Sequence, residues 1–154
     1  MDLFCRCSLS NEKENEIMIT EKDLLKEAIE ARNQAYVPYS NFPVGAAAVN
    51  GDNEIFSGCN IENASYGLTN CAERTAVFKA VSQGNQDLKT IAVVADTDGP
   101  VSPCGACRQV LSEFFPSTGK VILGNLKGDI QVTTVAELLP GAFQAEDFHD
   151  GQNV

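Results

Sequence analysis

The chain has 154 residues, 44% hydrophobic and 21% charged, which is enough for one compact domain with its own core and too few for two. A formal net charge of −10, with only 11 Lys and Arg, argues against DNA, RNA or an anionic membrane as partner, because neutralisation of phosphates dominates those affinities. No apolar run reaches the roughly 18 residues of a transmembrane helix, and the single histidine, His149, excludes sites that need two histidines from one chain, such as H-E-x-x-H proteases.

Residues 1–19 are polar, resemble neither a signal nor a transit peptide, and are expected to form a flexible arm ahead of one domain over 20–154. A first helix is predicted from Glu21 to Ala35: Thr20 and Asp23 can form a capping box, and Leu24, Leu25, Ala28 and Ile29 share an apolar face. Tyr36 to Pro43, with two prolines, is irregular. Val44 to Val49 reads as a buried strand, Asn50-Gly51 as a turn, and Glu54 to Cys59 as the returning hairpin strand. A second helix is predicted from Cys71 to Gln83, stopped by Gly84. Leu88 to Ala95 reads as a central strand. A third helix is predicted from Pro103 to Phe114, with the proline in its first turn. Lys120 to Leu123 and Ile130 to Thr133 are two further strands. Thr134 with Glu137 caps a last short helix that ends before Pro140.

This order implies an α/β three-layer sandwich, with helices on both faces of a five-stranded mixed sheet. Only the six residues Gly124 to Asp129 separate the last two strands. A parallel pair needs a crossover of a dozen or more, so these two should be antiparallel.

Pro103-Cys104-Gly105-Ala106-Cys107 puts two thiols at a helix start, where the helix dipole favours thiolates. Alone it fits a redox pair and half a zinc site equally. Cys71-Ala72-Glu73 adds a third thiol at another helix start. Three protein ligands leave zinc a fourth position open, the pattern of a catalytic site, whereas a structural site would recruit a fourth ligand from Cys59, Cys5 or Cys7. Cys59 reads more simply as a small buried residue, and Cys5 and Cys7 as incidental. Glu73, two residues past Cys71, stands close to such a metal without being a ligand, and can move protons between water and a leaving amine. Three thiolates give the Zn²⁺ site a charge of −1 and weaken its Lewis acidity. Arg74 is positioned to offset this by donating hydrogen bonds to ligand sulfurs.

Cys-Ala-Glu, 29 residues, then Pro-Cys-x-x-Cys is the zinc-deaminase signature in its three-cysteine form. Tyr39 to Ala47, Gly58 to Tyr66, Cys71 to Ala76, Ser102 to Gln109, and Leu138-Leu139-Pro140 with Phe143 and Glu146-Asp147 resemble the small homotetrameric cytidine deaminases. The resemblance spans about residues 20–148.

The resemblance implies that Cys71, Cys104 and Cys107 hold zinc and that Glu73 shuttles the proton. It implies that Asn60 and Glu62 bond the sugar hydroxyls, that Phe42 stacks on the pyrimidine, and that Tyr66 completes the nucleoside site. Phe143 would close a neighbouring subunit's pocket. The expected reaction is hydrolysis of free cytidine and deoxycytidine to the uracil nucleosides and ammonia, in pyrimidine salvage, by a homotetramer with shared active sites and no nucleic acid polymer or membrane as partner. Six cysteines without an export signal suggest a cytoplasmic setting. The rival within the superfamily is a deaminase of polynucleotides, nucleotides or aminopyrimidine antibiotics. From other classes, a dithiol redox protein would leave Cys71-Ala72-Glu73 without a role, and a purely structural zinc module would have no use for Glu73.

Overall fold

A computed structural model describes residues 18–148. The residues expected to form most of the arm, together with Cys5, Cys7 and His149, lie outside the described residues.

Helix α1 (Glu21–Arg32) opens on the expected capping box, with Thr20 and Asp23 bonding each other's backbone. It ends three residues before the expected Ala35. There the amides of Asn33, Gln34 and Ala35 turn to carbonyls three residues back, which tightens the chain so that Tyr36 can bridge Ile61. Strands β1 (Val44–Asn50) and β2 (Ile55–Cys59) form the hairpin. Its loop is not the tight turn that Asn50-Gly51 suggests. The Asn50 side chain accepts bonds from the amides of Asp52 and Glu54, and Asn53, at φ 61°, is the left-handed residue. Helix α2 (Ala72–Ser82) stops before Gly84 at φ 89°, as expected. Strand β3 (Leu88–Ala95) matches the reading.

Helix α3 (Gly105–Phe114) begins later than expected: Cys104 is its N-cap, and Pro103 stands outside the first turn. The physical reason is that the Pro103 carbonyl is taken by the Arg108 side chain, so the helical ladder starts with Arg108 N–H to Cys104 O. Strands β4 (Lys120–Asn125) and β5 (Ile130–Thr134) and helix α4 (Val135–Leu138), with its Thr134–Glu137 capping box, complete the order. Two short 3₁₀ turns, Tyr66–Leu68 and Ala145–Phe148, were not expected.

The sheet runs β2-β1-β3-β4-β5. Its β3–β4 pair is parallel and the rest antiparallel, including β4–β5. The period of two in each strand sorts the core. Ala46, Ala48, Ile91, Val93, Val121 and Leu123 face α2 and α3, while Ala47, Val49, Ala92, Val94 and Ile122 face α1. The sandwich therefore has three layers, and burial of Leu24 on one side and Leu111 on the other contributes about 1.5–3 kcal/mol each.

Two glycines let the helices lie on the strands. A Cβ at Gly45 would sit 1.9 Å from the Ala28 carbonyl of α1, and one at Gly58 2.5 Å from the Ala76 amide of α2. Because α2 passes into β3 through the short turn 83–87, its N-terminus returns to the C-terminal end of β3. Helix α3 begins at the same end, so the sheet delivers two helix N-termini to one place. No helix among the described residues is long and apolar enough to cross a membrane.

Candidate active site

Cys71 is the N-cap of α2 and Cys104 the N-cap of α3, and neither thiol caps its own helix. Cys107 lies in the first turn of α3 and is fully buried. The three sulfurs lie within 4.8 Å of one another, with Cys71 and Cys104 Sγ 3.9 Å apart. Four-coordinate zinc with sulfurs at about 2.3 Å requires neighbours roughly 3.8 Å apart, so the donor set and its spacing fit this ion. Among the described residues no fourth ligand joins the cluster. Cys59 stands apart at the end of β2. It is half-buried rather than buried as expected, with its thiol pushed up by desolvation.

Hydrogen bonding from Cys107, then from Arg74 and Cys104, holds the Cys71 thiol down to about 5. Cys107 is driven the other way by its bond to Cys71 and by burial. The Cys71 sulfur accepts from Arg74 Nη2 at 3.3 Å. The same nitrogen lies 3.5 Å from the Thr69 carbonyl, while Arg74 Nε is buried without a partner among the described residues. Glu73, only 5% exposed in the first turn of α2, has its carboxyl pushed up by burial. A carboxyl shifted in that direction holds a proton more readily than a free one, which suits a proton carrier.

Thr69 links this cluster to a cleft of about 420 Å³ lined by Tyr39, Ser40, Glu62, Tyr66 and Thr69. Glu62 Oε2 accepts the amides of Tyr39 (2.9 Å) and Ser40 (3.2 Å). With the Ser40 hydroxyl, these hold its carboxyl below the usual range. Asn60 Oδ1 accepts the Val44 amide and its Nδ2 donates to the Phe42 carbonyl, both at 2.8 Å. The ring of Tyr66 meets Tyr39 edge-on at 5.6 Å. Asn41, at φ 54°, turns this loop, a conformation that asparagine tolerates.

Phe42 and Phe143 are 41% and 54% exposed, so neither is a core residue. Phe143 does not join the cleft of its own chain: it packs on Phe148, and its carbonyl accepts from Gln109 Nε2. Tyr39, Ser40 and Thr69 were not singled out by residue type as lining residues. They are found through the backbone bonds that gather them around Glu62. A larger cavity, about 610 Å³, lies between the C-terminal end of α3 and residues Val135 to Gln144. Neither cavity is lined by the thiols or Glu73, but only the smaller one includes Thr69, whose carbonyl lies 3.5 Å from the Arg74 nitrogen that bonds Cys71, so chemistry rather than size locates the site.

Residues 18–125 match the family model described as the cytidine and deoxycytidylate deaminase zinc-binding region. The chain is 67% identical over 127 residues to a cytidine deaminase of Halalkalibacterium halodurans, covering 82% of this chain and 96% of that one. It is 65% identical over 124 residues to a cytidine deaminase of Sporosarcina psychrophila, covering 80% and 91%. A crystal structure of cytidine deaminase from Burkholderia pseudomallei superposes with a TM-score of 0.80 at 54% identity, over 81% of this chain and all of the other. With the three thiols inside the matched zinc-binding region, the chain belongs to the cytidine and deoxycytidylate deaminase family.

Proposed function

We propose that this chain hydrolyses the 4-amino group of free cytidine and deoxycytidine, releasing ammonia and the uracil nucleoside, with a role in pyrimidine salvage. The observation that carries the proposal is the convergence of three thiols from two helix N-termini beside one buried carboxyl, Glu73. Cys71, Cys104 and Cys107 would hold zinc, and when bound the ion supplies Lewis acidity that lets water ionise near neutral pH.

Glu73 accepts a proton from the attacking water and delivers it to ring N3 as C4 is attacked; it then takes the remaining proton from the new 4-hydroxyl and passes it to the amine, which leaves as ammonia as the C4 carbonyl forms. Its burial supports this traffic by raising the carboxyl's proton affinity. Arg74 draws charge from the Cys71 sulfur. Glu62 holds the loop at Tyr39 and Ser40 with Oε2 and offers Oε1 to a sugar hydroxyl. Asn60 keeps one lone pair and one N–H beyond its two backbone bonds. The exposed ring of Phe42 is available to stack on the base, and Tyr66 flanks the sugar end. The separation of Phe143 from its own chain's cleft supports a homotetramer in which Phe143 closes a neighbour's site. Reduced thiols as ligands suit the cytoplasm.

A free nucleoside is favoured over a nucleotide because Glu62 would repel a phosphate beside the sugar, and over a polynucleotide because the chain carries a net charge of −10. The test is ammonia release from cytidine with competitors. Inhibition by uridine and not by uridine monophosphate supports the reading. Equal inhibition by both, or no turnover of cytidine by the zinc-loaded protein, contradicts it.

A further inference from the structure

Arg108 follows the ligand Cys107 on α3, yet its guanidinium reaches back to the turn that carries Cys104 and across to the end of α4. Nε donates to the Pro103 carbonyl at 2.9 Å, Nη2 to the Ser102 hydroxyl at 2.7 Å, and Nη1 to the Leu138 carbonyl at 2.8 Å. Among the described residues it has no carboxylate partner. Every acceptor is neutral, and two are backbone, so the side chain here holds segments in place rather than balancing charge.

The Pro103 carbonyl belongs to the peptide that joins Pro103 to Cys104. Fixing that peptide plane fixes where the Cys104 Cα stands, and this matters because Cys104 is the exposed member of the thiol cluster. Cys107 is packed in the core and Cys71 is tied to Arg74, whereas Cys104 has neither support. Gln109, the next residue, donates instead to the Phe143 carbonyl at 2.8 Å and leaves the 102–104 turn untouched.

We propose that Arg108 is a positioning residue for the Cys104 thiolate, bracing the 102–104 turn against the end of α4 so that the third sulfur meets the metal. The bracing depends on the planar fork. Three acceptors on two segments are spanned by a guanidinium and cannot be spanned by the single ammonium of lysine, although the charge would be the same. The proposal rests on the three cysteines being metal ligands.

The test uses the full chain loaded with cobalt and, separately, with zinc. Thiolate-to-cobalt charge-transfer bands in the unaltered protein establish the ligand assignment by themselves, and their absence would contradict that assignment rather than the bracing. Arg108→Lys should shift or weaken those bands and release zinc to a chromogenic chelator at least about tenfold faster, the range for groups that orient metal ligands. Ser102→Ala removes one acceptor only and should give a smaller change in the same direction; it carries the test if Arg108→Lys does not fold. Gln109→Leu should keep unaltered bands and zinc release. Unaltered bands and release in Arg108→Lys, or in Ser102→Ala where that variant stands in, would overturn the proposal. So would the same disturbance in Gln109→Leu, since docking of the C-terminal segment would then be the cause.

Discussion

Cys71, Cys104 and Cys107 stand on two helices whose inner faces are packed against the sheet, and Glu73 beside them is buried. Tyr39, Phe42, Tyr66 and Phe143 stand on loops and near the C-terminus, and each leaves more than two fifths of its surface in solvent. The metal end is assembled within one chain by the fold's own helix starts. The end proposed to receive the sugar and base is a set of loops held by backbone bonds to Asn60 and Glu62, with its aromatic surface uncovered. One end is fixed by packing, which costs much to disturb. The other is shaped by a few hydrogen bonds and is left to be completed by substrate and, on the proposed assembly, by a neighbouring subunit.

That contrast can be broken most severely at the metal end. Cys104→Ala leaves two thiols and should abolish zinc retention after dialysis together with turnover, as read by metal content and ammonia release; full zinc content in this variant would contradict the ligand set. Arg74→Ala should lower zinc retention or turnover by about 10–100-fold, because the Cys71 sulfur loses its cationic donor. Gly58→Ala presses a methyl into the α2 backbone beneath Cys71 and should cost on the order of 1–3 kcal/mol, measured by urea unfolding of the zinc-loaded protein. At the open end, Phe143→Ala should raise KM for cytidine with zinc content unchanged. Mixing that variant with Glu73→Gln should restore part of the low-KM activity if Phe143 serves a neighbour's site.

The smallest effect concerns Glu62. Its folded pKa is depressed by the Ser40 hydroxyl and the Tyr39 and Ser40 amides. A depressed carboxylate contributes stability above its unfolded pKa, near 4.3, and loses it as pH falls through the lower folded value. The difference in melting temperature between the unaltered chain and Glu62→Gln should therefore be constant at neutral pH and shrink only in acid below the ordinary carboxylate range. A difference that instead grows as pH falls would reverse the sign.

The metal end was the legible part of the sequence. Thiols at helix starts combine a residue type with a position that local sequence determines, and capping boxes at Thr20 and Thr134 locate their helices in the same way. The antiparallel β4–β5 pair followed from the length of its connection. What sequence did not disclose rests on bonds to backbone carbonyls and amides, which leave no mark on the residue type of the acceptor. The Arg108 bond that starts α3 late, the tightened end of α1, and the Asn50 loop whose left-handed residue is Asn53 are of this kind. The turn Tyr66–Leu68 has no capping side chain to announce it. Phe42 and Phe143 read as ordinary core by residue type alone, and the structure exposes both.

The central claim is that the buried carboxyl beside the thiols moves the proton. Ammonia release from cytidine should be compared between the unaltered chain and Glu73→Gln at equal zinc content. A fall in kcat of at least about 10²–10⁴-fold, with zinc content and uridine binding unchanged, is the predicted result. Comparable turnover in the two proteins would contradict the account.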